Sequence, residues 1–351
     1  MKKYIYLLVI ALVCANLVDA QQFDINADLR ARFENRNGYG TLKPDDERAA
    51  SFISQRTRLQ FDYSFKNIKL RVSPQNVKTW GDVATTSKTD ANNAFHEAYG
   101  EINLDKKISF KLGRQEINYD DARIFGNVDW AMQARSHDVF LLKFNPNPKN
   151  QIHLGLALNA NKETNFYENY SVPQYKSFQY LWYHTDFKKV NISVLFLNNG
   201  MPYLVENEKE EIDYSQTTGS RLVFKNGALS IDGAAYLQTG KIADNSVNAT
   251  YFSANINYKA STYFNTSIGF EMLSGKDQNE TSTAVKSFNP LYGTNHKFNG
   301  YMDYFYVGNH INSVGLTDIY VNIGYEKNRF SAKLTPHYFA STASIYEGEQ
   351  K

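Results

Sequence analysis

Every second residue of Phe23–Glu34 is apolar: Phe23, Ile25, Ala27, Leu29, Ala31 and Phe33 alternate with Asp24, Asn26, Asp28, Arg30, Arg32 and Glu34. A β-strand turns successive side chains to opposite faces, so this segment has one apolar and one charged face. A helical period of 3.6 would scatter the charges around the circumference. Such alternation outruns a soluble strand of about 5–6 residues and suits a tilted membrane-crossing strand of about 9–11. The design recurs at Phe52–Phe65, Ile68–Gln75, His96–Leu104 and from Ile108 onward. Further candidates are His137–Phe144, where Val139–Phe144 is apolar on both faces and leaves the phase open, and Gln151–Asn159, Lys176–Thr185, Val190–Leu197 and Thr218–Phe224. Ala228–Gln238, Tyr251–Tyr258, Tyr263–Leu273, Thr317–Tyr325 and Phe330–Phe339 complete fifteen segments.

The connections carry a second signal. Lys66-Asn67, Asp105–Lys107, Asn145–Asn150, Asp186–Lys189, Lys225–Gly227, Lys259–Ser261 and Glu326–Asn328 are short. Between them fall the long ones: Asn35–Ser51, Asn76–Phe95, Ile117–Ser136, Ala160–Tyr175, Asn198–Thr217, Thr239–Thr250 and Ser274–Leu316. An outer-membrane barrel alternates in this way, with short turns in the periplasm and long loops outside. A soluble sandwich has no reason to keep its long loops at one end. The fold class is therefore all-β, a transmembrane up-and-down antiparallel β-barrel forming one domain over residues 21–351. Fifteen strands are present of about 16–18 expected, because bacterial single-chain barrels close on an even number. The odd count, and an end on Glu349-Gln350-Lys351, lead to the expectation that the last strands are missing and the first and last strands present are unpaired.

Lys2 and Lys3 precede an apolar run from Tyr4 to Ala15, and Val18-Asp19-Ala20 puts small or modest residues at the cleavage positions. Residues 1–20 thus read as a secretory signal peptide. Bulky Val13 before Cys14 speaks against a lipoprotein site. Cys14 is the only cysteine, so the mature chain holds neither a disulfide nor a thiolate metal site. Without Lys2, Lys3 and Asp19 the basic and acidic side chains number 36 and 35, which predicts no nucleic-acid partner. No apolar run after residue 20 is long enough for a membrane helix. Abundant Tyr (25) and Phe (23) supply the aromatic girdles of a barrel. The expected location is the bacterial outer membrane, with its lipid as partner.

Chemistry-bearing motifs are sparse. His96-Glu97 begins like a zinc-protease HExxH, but the fifth residue is Gly100 and the segment alternates as a strand. There is no GxSxG, CxxC or phosphate-cradling loop, and the seven histidines lack metal-ligand spacing; no metal or cofactor is expected. Arg30, Arg32, Arg56, Arg58, Lys69, Arg71 and Lys111 all fall on polar faces. Those faces must point into the lumen, since a cation on the lipid face costs about 2–4 kcal/mol at midplane. Two readings follow: a cationic track for anions, because guanidinium holds carboxylates through paired hydrogen bonds, or neutralisation by Asp28, Asp62, Glu97 and Glu101 on the same surface. The longest loop holds FNPLYGTNHKFNGYMDYFYVGNH (Phe288–His310). Its Tyr, Phe, Asn and Gly suit a sugar-binding constriction, with Tyr292, Asn295, His296, Tyr301 and Tyr304 as contacts, or equally a surface loop beside the girdle.

Four stretches resemble the alginate-export family of outer-membrane barrels in its Bacteroidetes version: Arg30–Gly40, Ser54–Tyr63, Lys111–Asp138 and Phe288–His310. The resemblance implies a monomeric barrel of about eighteen strands with an arginine-lined, anion-selective lumen. It carries the pore-lining role onto Arg30, Arg56, Arg58, Arg71, Arg114 and Arg135. The function expected is a non-enzymatic channel passing an anionic saccharide or small organic anion by diffusion. A surface-binding or adhesion barrel acting through Ser274–Leu316, and an outer-membrane hydrolase, are the alternatives.

Overall fold

The computed structural model describes residues 21–206, 209–305 and 313–346. Residues 1–20, where a signal peptide is expected, and residues 306–310 of the aromatic loop lie outside the described residues. One antiparallel sheet of seventeen strands makes up the wall. It opens with β1 (Gln22–Arg36), β2 (Ala50–Phe65), β3 (Ile68–Thr79), β4 (Asn93–Asn103), β5 (Ile108–Gln115) and β6 (His137–Asn147). Next come β7 (Asn150–Leu158), β8 (Ser177–Asp186), β9 (Val190–Val205), β10 (Lys209–Asn226) and β11 (Leu229–Ile242). The remainder are β12 (Asn245–Ser246), β13 (Ala249–Tyr258), β14 (Phe264–Leu273), β15 (Leu316–Lys327), β16 (Phe330–Leu334) and β17 (His337–Ala340).

Each strand pairs with its neighbours in sequence, an up-and-down meander. β12 is a two-residue outgrowth of the β11 hairpin. β16 and β17 lie along β15 as one strand interrupted at Thr335-Pro336, where proline lacks the N–H that a ladder needs. Seventeen strands therefore make fifteen passes, the same fifteen that the alternation marks. Among the described residues no pairing joins β1 to β16 or β17, so the seam expected from the odd count is open.

Alternation sorts the two faces. Leu29 (71% exposed), Leu112 (63%) and Ile268 (53%) represent an outward apolar row to which nearly every strand contributes. A continuous apolar exterior of this kind faces lipid, and only a strand wall whose backbone groups pair internally survives there. Phe144, Phe187, Tyr258, Phe264 and Phe330 stand exposed beside the short turns as one aromatic girdle.

Two expected loops are strands. β9 and β10 stay paired up to Val205↔Lys209, so most of Asn198–Thr217 is ladder, and β11 with β12 takes up part of Thr239–Thr250. The ladder continues because hydrophobic contrast is needed only inside the bilayer. Exposed Lys209 and Glu211 place this hairpin in water above it.

On the inner face three tyrosines lie across a glycine of the adjacent strand: Tyr180 over Gly155, Tyr236 over Gly219 and Tyr320 over Gly269. A Cβ at any of these glycines would meet the ring. Gly155→Ala must displace Tyr180, which is buried, and overpacking of this kind costs about 1–3 kcal/mol. The heat-modifiable gel band should be lost at a lower temperature in this variant; an unchanged transition would show that the ring moves aside freely.

Candidate functional site

The connection from β5 to β6, residues 116–136, turns into the lumen. Pattern alone makes Ile117–Ser136 an outside loop, and the structure corrects this: Ile117, Ile124, Phe125, Ala131 and Met132 are buried. These apolar side chains find cover only against the inner wall. Tyr119 stacks on Trp182 of β8 with centroids 4.4 Å apart, and its hydroxyl lies 2.9 Å from His153 Nδ1 of β7. Phe125 packs against Phe178 and Tyr180 of β8.

Charged contacts tie the same segment to the rest of the ring. The Asp129 carboxylate takes Arg56 at 2.8 Å and Arg30 at 3.1 Å, with Arg58 at 3.9 Å. Arg30 also donates to the Asp129 carbonyl at 2.5 Å, and Arg32 to that of Trp130 at 3.1 Å. Arg56, 1% exposed, has Asp28 as its second carboxylate. Glu116 meets His96 Nε2 at 2.7 Å. Strict alternation would turn His96 outward; an extra residue opposite Ser73-Pro74 bulges β4 and brings His96 and Glu97 both inside. Across the lumen, Asp121 pairs with Arg221 of β10 at 3.2 Å and Arg123 with Glu271 of β14 at 2.6 Å.

These anchors are carboxylates, and their titration sets a pH window. Burial pushes Asp129 up, but hydrogen bonds from Arg56 and Arg30 and their charge hold it below its ordinary 3.8 on balance. Glu116 is likewise raised by burial and lowered more by His96, Asn127 and Arg58. A depressed carboxylate stabilises above its unfolded pKa, and the contribution is lost as pH falls through the folded value. The loop should stay seated from pH 8 to about 5 and loosen only below about 4. Single-channel current recorded across that range checks this; a step near pH 6–7 would put histidine in control instead.

The β14–β15 connection joins the first loop inside. Gly126 N–H donates to the Tyr292 carbonyl at 2.9 Å, Thr294 N–H to the Ala122 carbonyl at 2.8 Å, and Arg135 to the Gly293 carbonyl at 3.1 Å. Tyr292 stacks on Phe125 and hydrogen-bonds Asn199 of β9. Asn295 is buried. His296 lies on Trp130 at 4.1 Å and meets Asp303 at 2.8 Å. Tyr301 and Tyr304 are exposed, and Tyr301 faces open lumen.

Two spaces remain. One is a cavity of about 580 Å³ between the loops and the inner faces of β10 to β16, lined by Asn255, Asn257, Glu271, Asp318, Tyr320 and Lys333 among others. The other is the wall of β2 to β6 toward the short turns. There Arg71 bridges Asp62 at 2.6 Å and Glu97 at 3.2 Å. Lys111 sits over Tyr99 at 3.7 Å, and exposed Lys69 has no carboxylate within ion-pair distance among the described residues. Arg114 does not belong with them. It shares the outer face with Phe110 and Leu112, opposite Ala98, and pairs with Asp138 at 2.7 Å. Gly113, not Arg114, holds the inward position. Arg114→Gln should therefore leave the reversal potential in a salt gradient unmoved; a shift would return Arg114 to the pore.

No family model matches the chain, and no curated protein matches it. Solved structures of outer-membrane porins do share its fold. Pseudomonas aeruginosa OpdK with vanillate aligns with a TM-score of 0.56 at 9% identity, covering 88% of this chain and 78% of that one. Acinetobacter baumannii OccAB4 gives 0.55 at 11%, covering 87% and 78%. Salmonella typhi OmpF in complex with daunomycin gives 0.52 at 9%, covering 91% of each.

Proposed function

We propose that the protein is a diffusion channel of the bacterial outer membrane for small organic anions, acidic saccharides among them. The observation that carries the reading is a lumen narrowed but not filled: two loops cross it and leave a polar cavity of about 580 Å³ beside one wall. A porin fold shared with a barrel determined with vanillate, a small carboxylate, supports the solute class. So do the four stretches similar to alginate-export barrels. Among the basic inner-face residues, Lys69, Arg71 and Lys111 meet the solute, whereas Arg30, Arg32, Arg56, Arg58 and Arg135 hold the loops.

Planar-bilayer recording tests this. Wild type should conduct, with an anion-to-cation permeability ratio above one. Lys69→Gln with Lys111→Gln should lower that ratio without changing conductance, because neither lysine anchors a loop. Stable insertion with no conductance would favour the adhesion barrel.

One contact bears on the hydrolase reading. His184 lies 2.8 Å from Ser193 Oγ and 3.3 Å from Asp186, a serine–histidine–acid chain. Ser193 is 4% exposed, which keeps its Oγ out of reach of an ester, and Trp182 stacks flat on His184. A fluorophosphonate probe should leave Ser193 unlabelled.

A further inference from the structure

We infer that the cavity beside β13–β16 is a binding site for an uncharged saccharide ring. The inference rests on the channel reading for its access route and adds a solute class to it. Three observations converge. First, Tyr320 is laid against the wall because Gly269 on β14 has no Cβ to lift it. Unlike Tyr180 and Tyr236, which are buried, it is only half-buried and lines the cavity. Tyr301 supplies a second ring from the loop above, 64% exposed and braced by His296 at 5.6 Å. Flat aromatic faces take the C–H faces of a sugar ring, burying apolar area without requiring charge.

Second, the polar lining between these rings is amide-rich. Asn255, Asn257 and Asn322 project inward from β13 and β15, and each amide offers two donors and an acceptor, the complement of vicinal hydroxyls. Third, the cavity's charges are largely spent on one another. Arg221 lies between Asp121 and Asp232 at 3.2 and 3.1 Å, Glu271 holds Arg123, and Asp318 holds His337 at 2.9 Å. With its carboxylates paired and Lys297 and Lys333 beside them, the lining carries little net charge, and the paired oxygens still accept hydroxyl hydrogen bonds. A volume of about 580 Å³ falls within the range of small-molecule sites, about 300–1,000 Å³.

The test is calorimetric titration of the full chain in detergent with maltotriose, and with benzoate as a non-saccharide anion, alongside bilayer recording of the same preparation. Maltotriose should bind, benzoate should not displace it, and Tyr301→Ala should weaken binding at least tenfold. Tyr320→Leu, which still covers Gly269, should do the same while retaining the folded gel band. Conductance without maltotriose binding overturns the site and leaves the channel standing. Binding without conductance keeps the site and overturns the channel. Equal affinity in wild type and both variants would place the sugar elsewhere and overturn the assignment.

Discussion

Replacing residues 118–134 by a short Gly-Ser turn raises single-channel conductance several-fold. The segment spans the lumen from the β1–β2 wall, through Asp129, to β8 through Tyr119 and to β14 through Arg123. Conductance follows the narrowest cross-section, and this segment sets it together with the β14–β15 loop. The wall does not depend on it, because every strand is held by backbone pairs to its neighbours, and in hydrocarbon those pairs carry the structure. Loss of the loop exposes Phe178, Tyr180 and Trp182 to lumen water, which lowers stability without removing a strand. Unchanged conductance in a folded variant would mean that the β14–β15 loop alone sets the bore.

Asp129→Asn should unseat the loop and sharpen anion selectivity together. One carboxylate is shared by Arg30, Arg56 and Arg58; the amide keeps the shape and loses the charge. Charge-assisted hydrogen bonds contribute about 1.5–3 kcal/mol each where buried, and Asp129 is 44% exposed on its side chain, so the low end applies. At about 1.4 kcal/mol per factor of ten, the population with the loop released should rise roughly tenfold, seen as brief larger openings. Arg30, Arg56 and Arg58, left with Asp28 as their one remaining carboxylate, should raise the anion-to-cation ratio in those openings. Asp129→Glu should behave as wild type. A variant as quiet as wild type, with the same ratio, would show that apolar burial holds the loop unaided.

All fifteen passes were legible in the sequence, because period-two alternation is obligatory where one face meets lipid and the other does not. Strand length above the bilayer was not: Lys209–Tyr214 has Ile212 as its one aliphatic residue, too little to set an alternation, and only the pairing with β9 reveals it as strand. The inner faces of β1–β3 were legible as cationic, and their acids as neighbours. What no local pattern showed is that Asp129, far along the chain, would occupy the arginines. Buried Ile124, Phe125 and Met132 in a supposed outside loop were the available signal: large apolar side chains without strand period need cover from somewhere. Arg114 was misplaced because the reading followed a motif rather than the register, in which Gly113 pairs with inward Tyr99.

Cysteine accessibility tests the central claim, a passage running beside β10–β16 and closed beside β7–β9. Cys14 is the only cysteine of the sequence, so in a Cys14→Ser background an introduced thiol is the sole target. Asn257→Cys and Asn322→Cys line the cavity, whereas Ala157→Cys on β7 is 6% exposed at the parent residue. A charged methanethiosulfonate reagent added during bilayer recording should cut the current through the first two and leave the third unchanged. Current cut through Ala157→Cys, with Asn257→Cys and Asn322→Cys indifferent, would place the route beside β7–β9 and contradict the account.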